Sequence, residues 1–183
     1  EKGQASLEFM QAKCRGLYNW WIGKLRNGEK WKLFAAKKSL QASKEYDPEL
    51  NQVYGKLLAE VYFRLDKAMK AFFARCKKGK AGFPRFKPRH EFFTLLYPAM
   101  YLKVTGNKIV LPTGGKGGKK AFPNVVAELT ESPPEKFQEV SISRDKRGNY
   151  YCSFVYEVAN VTCQKTGILA IDLGIKTLAC CVN

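Results

Sequence analysis

The apolar positions of residues 47–76 recur at helical spacing on a face too broad for one neighbour to cover. Leu50, Val53, Leu57, Val61, Leu65, Ala68 and Phe72 form its spine, and Tyr54, Leu58, Met69 and Phe73 widen it. A stripe of this width with a period of 3.6 requires burial against other helices. Two candidates precede it. Residues 5–25 place Leu7, Met10, Cys14, Leu17, Trp21 and Leu25 at the same spacing, and Asn27-Gly28 is a stop signal. A second helix is expected over about 30–43. The third begins at Asp47-Pro48, a cap followed by a proline suited to the first helical position. The expectation is a small helical bundle over residues 1–80, with most of its aromatic rings in the core. Trp20 points away from the Trp21 face and is a candidate for stacking on a base.

After Lys80 the period changes from 3.6 to 2. Segments 92–97, 101–105, 108–111, 138–144 and 149–158 read as strands, and Asp145-Lys146-Arg147-Gly148-Asn149 as a hairpin turn. Short antiparallel strands of this kind suggest a small barrel or sandwich over 81–166. The stretch 112–121, with four glycines and three lysines, cannot build a core and is expected to be a flexible, basic loop. It lacks the spacing and the hydroxyl residue of a Walker phosphate loop. The fold class is therefore α+β.

Charge points to the partner. Lysine and arginine number 32 against 16 acids, a formal net charge of +16. That excess implies a polyanion, with nucleic acid favoured over a membrane surface because the cations lie on loops and strands rather than on one amphipathic helix. Residues 75–120 hold Arg75, Lys77, Lys78, Lys80, Arg85, Lys87, Arg89, Lys103, Lys108, Lys116, Lys119 and Lys120, with Glu91 as their only acid. Within this block, Phe83 and Phe86 interleave with cations, and prolines restrict the backbone. Cations of this kind neutralise phosphates while rings stack on bases or sugars. The candidate nucleic-acid contacts are Trp20, Arg75, Lys77, Lys78, Lys80, Arg85, Phe86, Lys87, Arg89, Lys116, Lys119 and Lys120. The competing reading makes the phenylalanines core and the cations a solvated face.

The six cysteines form no C-x-x-C pair and His90 is the only histidine, so zinc-ligand spacing is absent. Buried free thiols in a reducing cytoplasm are expected, with the chain associated with the nucleoid. No apolar stretch approaches the ~20 residues of a membrane span.

Residues 167–183 read as a β-hairpin in which Asp172 closes the apolar run Ile168-Leu169-Ala170-Ile171 and Gly174 follows. An acid at a strand tip is suited to hold a catalytic divalent metal. The plainer reading is a turn cap, because Asp-x-Gly is common turn chemistry. The Asp-Leu-Gly hairpin also resembles the first phosphate-contacting hairpin of actin-like ATPases, although those carry no basic domain in front of it.

The order of motifs goes further. Cys14-Arg15 and Tyr18-Asn19-Trp20 come first, then Arg64-Leu65-Asp66-Lys67-Ala68 with Phe72-Phe73. Gly82-Phe83-Pro84-Arg85-Phe86-Lys87 and Ile109-Val110-Leu111-Pro112 follow, then Gly148-Asn149-Tyr150-Tyr151 and Ile171-Asp172-Leu173-Gly174. Over about residues 8–183 the chain resembles the TnpB proteins of insertion sequences and the compact type V CRISPR effector nucleases. The resemblance implies an RNA-guided DNA endonuclease, monomeric or homodimeric, with guide RNA and target DNA as partners. It implies a helical recognition domain, a wedge-like barrel and, from residue 167, the first hairpin of an RNase H-like RuvC domain. Asp172 matches the first of three acids that hold magnesium. The later acids and the family's zinc ribbon would lie beyond Asn183. The family's opening barrel strand is absent here, and 112–136 is longer than in the family pattern. A first residue of Glu1 and the abrupt end suggest a fragment that does not cut DNA alone. The remaining alternative is a basic nucleic-acid-binding module or accessory protein without chemistry.

Overall fold

The computed structural model describes residues 2–80, 82–115 and 120–158, and the backbone of 170–172 and 180–182. Four helices come first: α1 (Lys2–Arg26), α2 (Leu33–Lys38), α3 (Leu40–Tyr46) and α4 (Gly55–Cys76), with a 3-10 segment Pro48–Gln52 before α4. The expected first helix is present, and its stripe is buried from Leu7 through Leu25. It packs against Leu57, Leu58, Val61, Tyr62, Leu65 and Met69 of α4. The expected second helix is two short ones. Ser39 separates them, and its hydroxyl donates to the Ala36 carbonyl at 2.7 Å. A hydroxyl competing for helical carbonyls is a known disturbance of helices.

The third helix starts later than expected. Asp47 caps, accepting from the Glu49 N–H, but what it caps is the 3-10 segment. Val53 is then extended and the α-helix begins at Gly55. Leu50 and Val53 still reach the core. At its far end α4 closes with Gly79 at φ 70°, the Gly79 N–H on the Cys76 carbonyl and the Lys80 N–H on the Arg75 carbonyl. That pair of bonds is the Schellman arrangement, which favours glycine at the left-handed position.

Among the described residues the sheets do not close into a barrel. Strands β1 (Leu95–Pro98), β5 (Glu139–Arg144) and β6 (Tyr150–Val155) form one antiparallel sheet in the order β1-β5-β6. Strands β2 (Lys103–Thr105), β3 (Lys108–Leu111) and β4 (Val125–Glu128) form a second. Helices, not further strands, cover their inner faces. Tyr97 of β1 is fully buried, with its hydroxyl 3.9 Å from the Met10 sulfur and its ring stacked on Tyr54. A methyl group on Gly3 would sit 3.2 Å from Val125 of β4. One buried cluster thus runs from α1 and α4 into both sheets. Burial on this continuous scale, at about 25 cal/mol per Å² of apolar surface, is the main force holding the elements together.

The hairpin at Asp145–Asn149 forms as expected. Asp145 Oδ1 accepts from the N–H groups of Arg147 and Asn149, and Gly148 takes φ 94°. The loop between β3 and β4 is not loose throughout. Thr113 and Gly114 are buried, and both sides of the loop bond to one residue. The Gly114 N–H donates to the Gln52 carbonyl at 3.0 Å, and the Ala121 N–H to the Gln52 side-chain oxygen at 2.9 Å. A Cβ on Gly114 would lie 2.4 Å from backbone atoms of Gln52 and Val53, so only glycine permits this approach. Strands β7 (Ala170–Asp172) and β8 (Cys180–Val182) pair antiparallel, with Asp172 opposite Cys180.

Candidate nucleic-acid interface

Residues 83–93 run antiparallel to α1 as a strap outside any helix or strand, with a turn at Arg89 and His90. One face of α1 holds it, at spacings of four residues. Gln11 Oε1 accepts from the Phe93 N–H at 3.2 Å. Arg15 donates to the Arg89 carbonyl at 3.1 Å and to Gln11 Oε1 at 3.2 Å. Asn19 clamps Lys87 from both sides, donating to its carbonyl at 2.9 Å and accepting from its N–H at 2.7 Å. Farther along, the Arg26 guanidinium lies 4.6 Å from the Phe86 ring centre and 5.9 Å from that of Phe83. At the strap's start, Arg75 donates to the Gly82 carbonyl at 2.9 Å. At its end, Arg64 donates to the Thr94 carbonyl at 2.9 Å and lies over the Phe93 ring.

The strap is built so that its backbone is held and its cations are not. Pro84 is buried and Phe83 packs edge-on against Phe72 at 5.1 Å. Arg85, Phe86, Lys87 and Arg89 face solvent, and Phe86 is 45 % exposed. Phe83 therefore belongs to the core, as the competing reading has it, whereas Phe86 does not. The ion pairs among the described residues join Lys13 to Asp47 and Glu49, Lys24 to Glu29, Lys70 to Asp66, and Arg144 to Glu8. None involves a cation of the strap or of the turn that precedes it. Lys77, Lys78 and Lys80 stand exposed on that turn. Seven cations between residues 75 and 91 thus meet a single acid, Glu91. Such a like-charged surface repels itself until a polyanion covers it.

Arg75 is half accounted for as a fastener of the chain, since one of its nitrogens is committed to Gly82. Trp20 is exposed, at 39 %, and takes no part in the strap contacts described above. Its ring carries the Lys24 ammonium at 4.3 Å and lines a cavity of about 420 Å³ with Leu17, Tyr46 and Leu50. Lys120 donates to Asn124 Oδ1 at 2.7 Å and belongs to the β3–β4 loop. Lys116 and Lys119 lie outside the described residues. Sequence reasoning overlooked Arg26 and the clamping roles of Arg15 and Asn19. Their signal is the 11–15–19 spacing on α1, a polar row beside the apolar stripe.

Asp172 ends strand β7, and its side chain lies outside the described residues. A carboxylate at a strand end suits one ligand position of a hard cation, but one acid alone cannot hold two. Among the described residues no group of three His, Cys, Asp or Glu side chains could hold a metal. No described helix is long and apolar enough to cross a membrane. Of the cysteines, Cys14 is buried, with its thiol pushed up to about 12 by burial, whereas Cys76 is exposed, against the expectation of buried thiols.

No protein-family model matches the chain, and no curated protein matches it.

Proposed function

We propose that this chain binds guide RNA and target DNA as part of an RNA-guided DNA endonuclease of the TnpB and type V kind. The observation that carries the reading is the strap. A segment with three outward cations and one outward ring is fastened to a helix by side chains that leave the cations free. Backbone neutralisation with ring stacking is how proteins hold nucleic acid without reading its sequence. The fasteners Arg15, Asn19 and Arg64 and the segment from Gly82 to Lys87 are among the positions on which the resemblance rests. Their joint use in one contact supports reading them as a unit.

In this reading Asp172 is one ligand of a magnesium site completed by acids from outside residues 1–183. A metal there would clamp the oxygens of an in-line phosphodiester displacement. Binding and cutting are then separable. The strap by itself equally supports a binding module without chemistry, and one experiment separates the two. Asp172→Ala in the full-length protein loaded with guide RNA is assayed for target affinity and for cleavage rate. Unchanged affinity with cleavage abolished supports the nuclease. Retained cleavage makes Asp172 a turn cap. Absence of cleavage in the unaltered, loaded protein favours the binding module.

A further inference from the structure

Lys44 and Lys120 are 76 residues apart in the sequence, yet both line one cleft of about 560 Å³. The cleft lies between α3, the 3-10 segment, the start of α4 and the base of the β3–β4 loop. Asn51, Thr113, Gly114 and Gly115 also line it, and among the described residues no carboxylate does. The walls are fixed. Gln52 ties both sides of the loop base, and the Thr113 hydroxyl donates to the Phe122 carbonyl at 2.8 Å. Lys120 uses one of its ammonium protons on Asn124, which orients the group and leaves two. Lys44 has no acidic partner among the described residues. Two lysines brought from separate parts of the chain to line one cleft with glycine walls, and with no acid among its described lining residues, make a place for an anion.

We propose that this cleft is a phosphate seat, built to take one phosphate group between Lys44 and Lys120. The proposal rests on the nucleic-acid reading for its natural ligand, a backbone phosphate of the bound strand. A free phosphate compound would satisfy the same chemistry. The seat is distinct from the strap, whose cations come from residues 75–91. It gives Lys120, at the base of the glycine- and lysine-rich loop, a role that the strap leaves unassigned.

The test compares the unaltered protein with Lys44→Gln/Lys120→Gln and with a charge-matched control, Lys67→Gln/Lys136→Gln. One arm measures affinity for a labelled single-stranded RNA from 50 to 200 mM salt. The seat predicts that the double variant's log–log salt slope is shallower by about 0.7 to 1 than the control's, the share of one phosphate. The other arm measures the unfolding midpoint with inorganic pyrophosphate. The seat predicts a rise of about 2–5 °C in the unaltered protein and the control, absent in the double variant. RNA binding with equal slopes in double variant and control, and no selective pyrophosphate effect, overturns the seat and leaves the strap reading standing. No RNA binding at any salt, with a pyrophosphate shift that the double variant loses, keeps the seat and removes the nucleic-acid reading. A shift equal in all three proteins shows an adventitious ion only and overturns the seat.

Discussion

Replacing Asn19 by alanine tests whether the strap binds in its fastened form. The change removes both bonds to Lys87, at 2.9 and 2.7 Å, and no charge. A neutral hydrogen bond contributes about 0.5–1.5 kcal/mol net, so the clamp holds Lys87 by about 1–3 kcal/mol. A loosened strap must be re-ordered when nucleic acid binds, and that cost reappears as lost affinity. At about 1.4 kcal/mol per tenfold, the range is roughly 5- to 150-fold in Kd. Both bonds are exposed to water, and Arg15, Gln11 and Arg75 still hold the neighbouring residues, which places the expected loss near 5- to 20-fold. The salt slope should not change, because every phosphate-facing cation remains. The assay is fluorescence anisotropy on a labelled single strand across a salt series, with amide exchange at Lys87 as the structural readout. Exchange that quickens while Kd stays constant would refute the reasoning, since a loosened strap would then bind as well as a fastened one. A fall in slope would mean that a strap cation loses its phosphate once the clamp is gone, against the expectation that all of them still reach one.

Three further outcomes follow from the packing. Gly114→Ala places a methyl group 2.4 Å from the Gln52 and Val53 backbone; overpacking against main chain should lower stability by about 1–3 kcal/mol, read as a lower unfolding midpoint. Asp66 accepts from the Trp31 indole at 2.9 Å, and the Lys70 ammonium and that indole hold its carboxyl below the usual value of 3.8. Its stabilising share is therefore full above that value and lost as pH falls through the depressed one. The midpoint difference between the unaltered protein and Asp66→Asn should shrink between pH 6 and pH 3, and a constant difference would deny the carboxylate its role. Alkylation at pH 8 followed by peptide mapping should label exposed Cys76 well before buried Cys14, whose thiol stays protonated there.

Local signals carried the fold where bonds are local. The α1 helix and the Asp145–Asn149 turn were legible because their hydrogen bonds close within four residues. The start of α4 was not. The Gln52 carbonyl is taken by Gly114, 62 residues on, and so is diverted from the helix that Asp47-Pro48 announces. Strand β4 was missed for a related reason. Val125–Glu128 pairs with β3 across the long Gly/Lys loop, and only a short turn advertises a hairpin in sequence. The barrel was expected because short alternating strands look the same whether their inner face meets strands or helices. In the candidate interface, the outward cations were legible as a run of like charge. Their fasteners were not, because Arg15 and Asn19 act across 74 and 68 residues.

The most direct test of the strap is the salt dependence of binding in the unaltered protein and in Arg85→Ala/Lys87→Ala/Arg89→Ala, measured on several unrelated single strands. Four or five neutralised phosphates should cost the unaltered protein on the order of 100-fold in affinity between 50 and 200 mM salt. The triple variant should bind every strand more weakly, with a slope shallower by about 2, the share of three phosphates. Equal slopes in the two proteins, or a loss confined to one sequence, would contradict the claim that these three cations meet the nucleic-acid backbone.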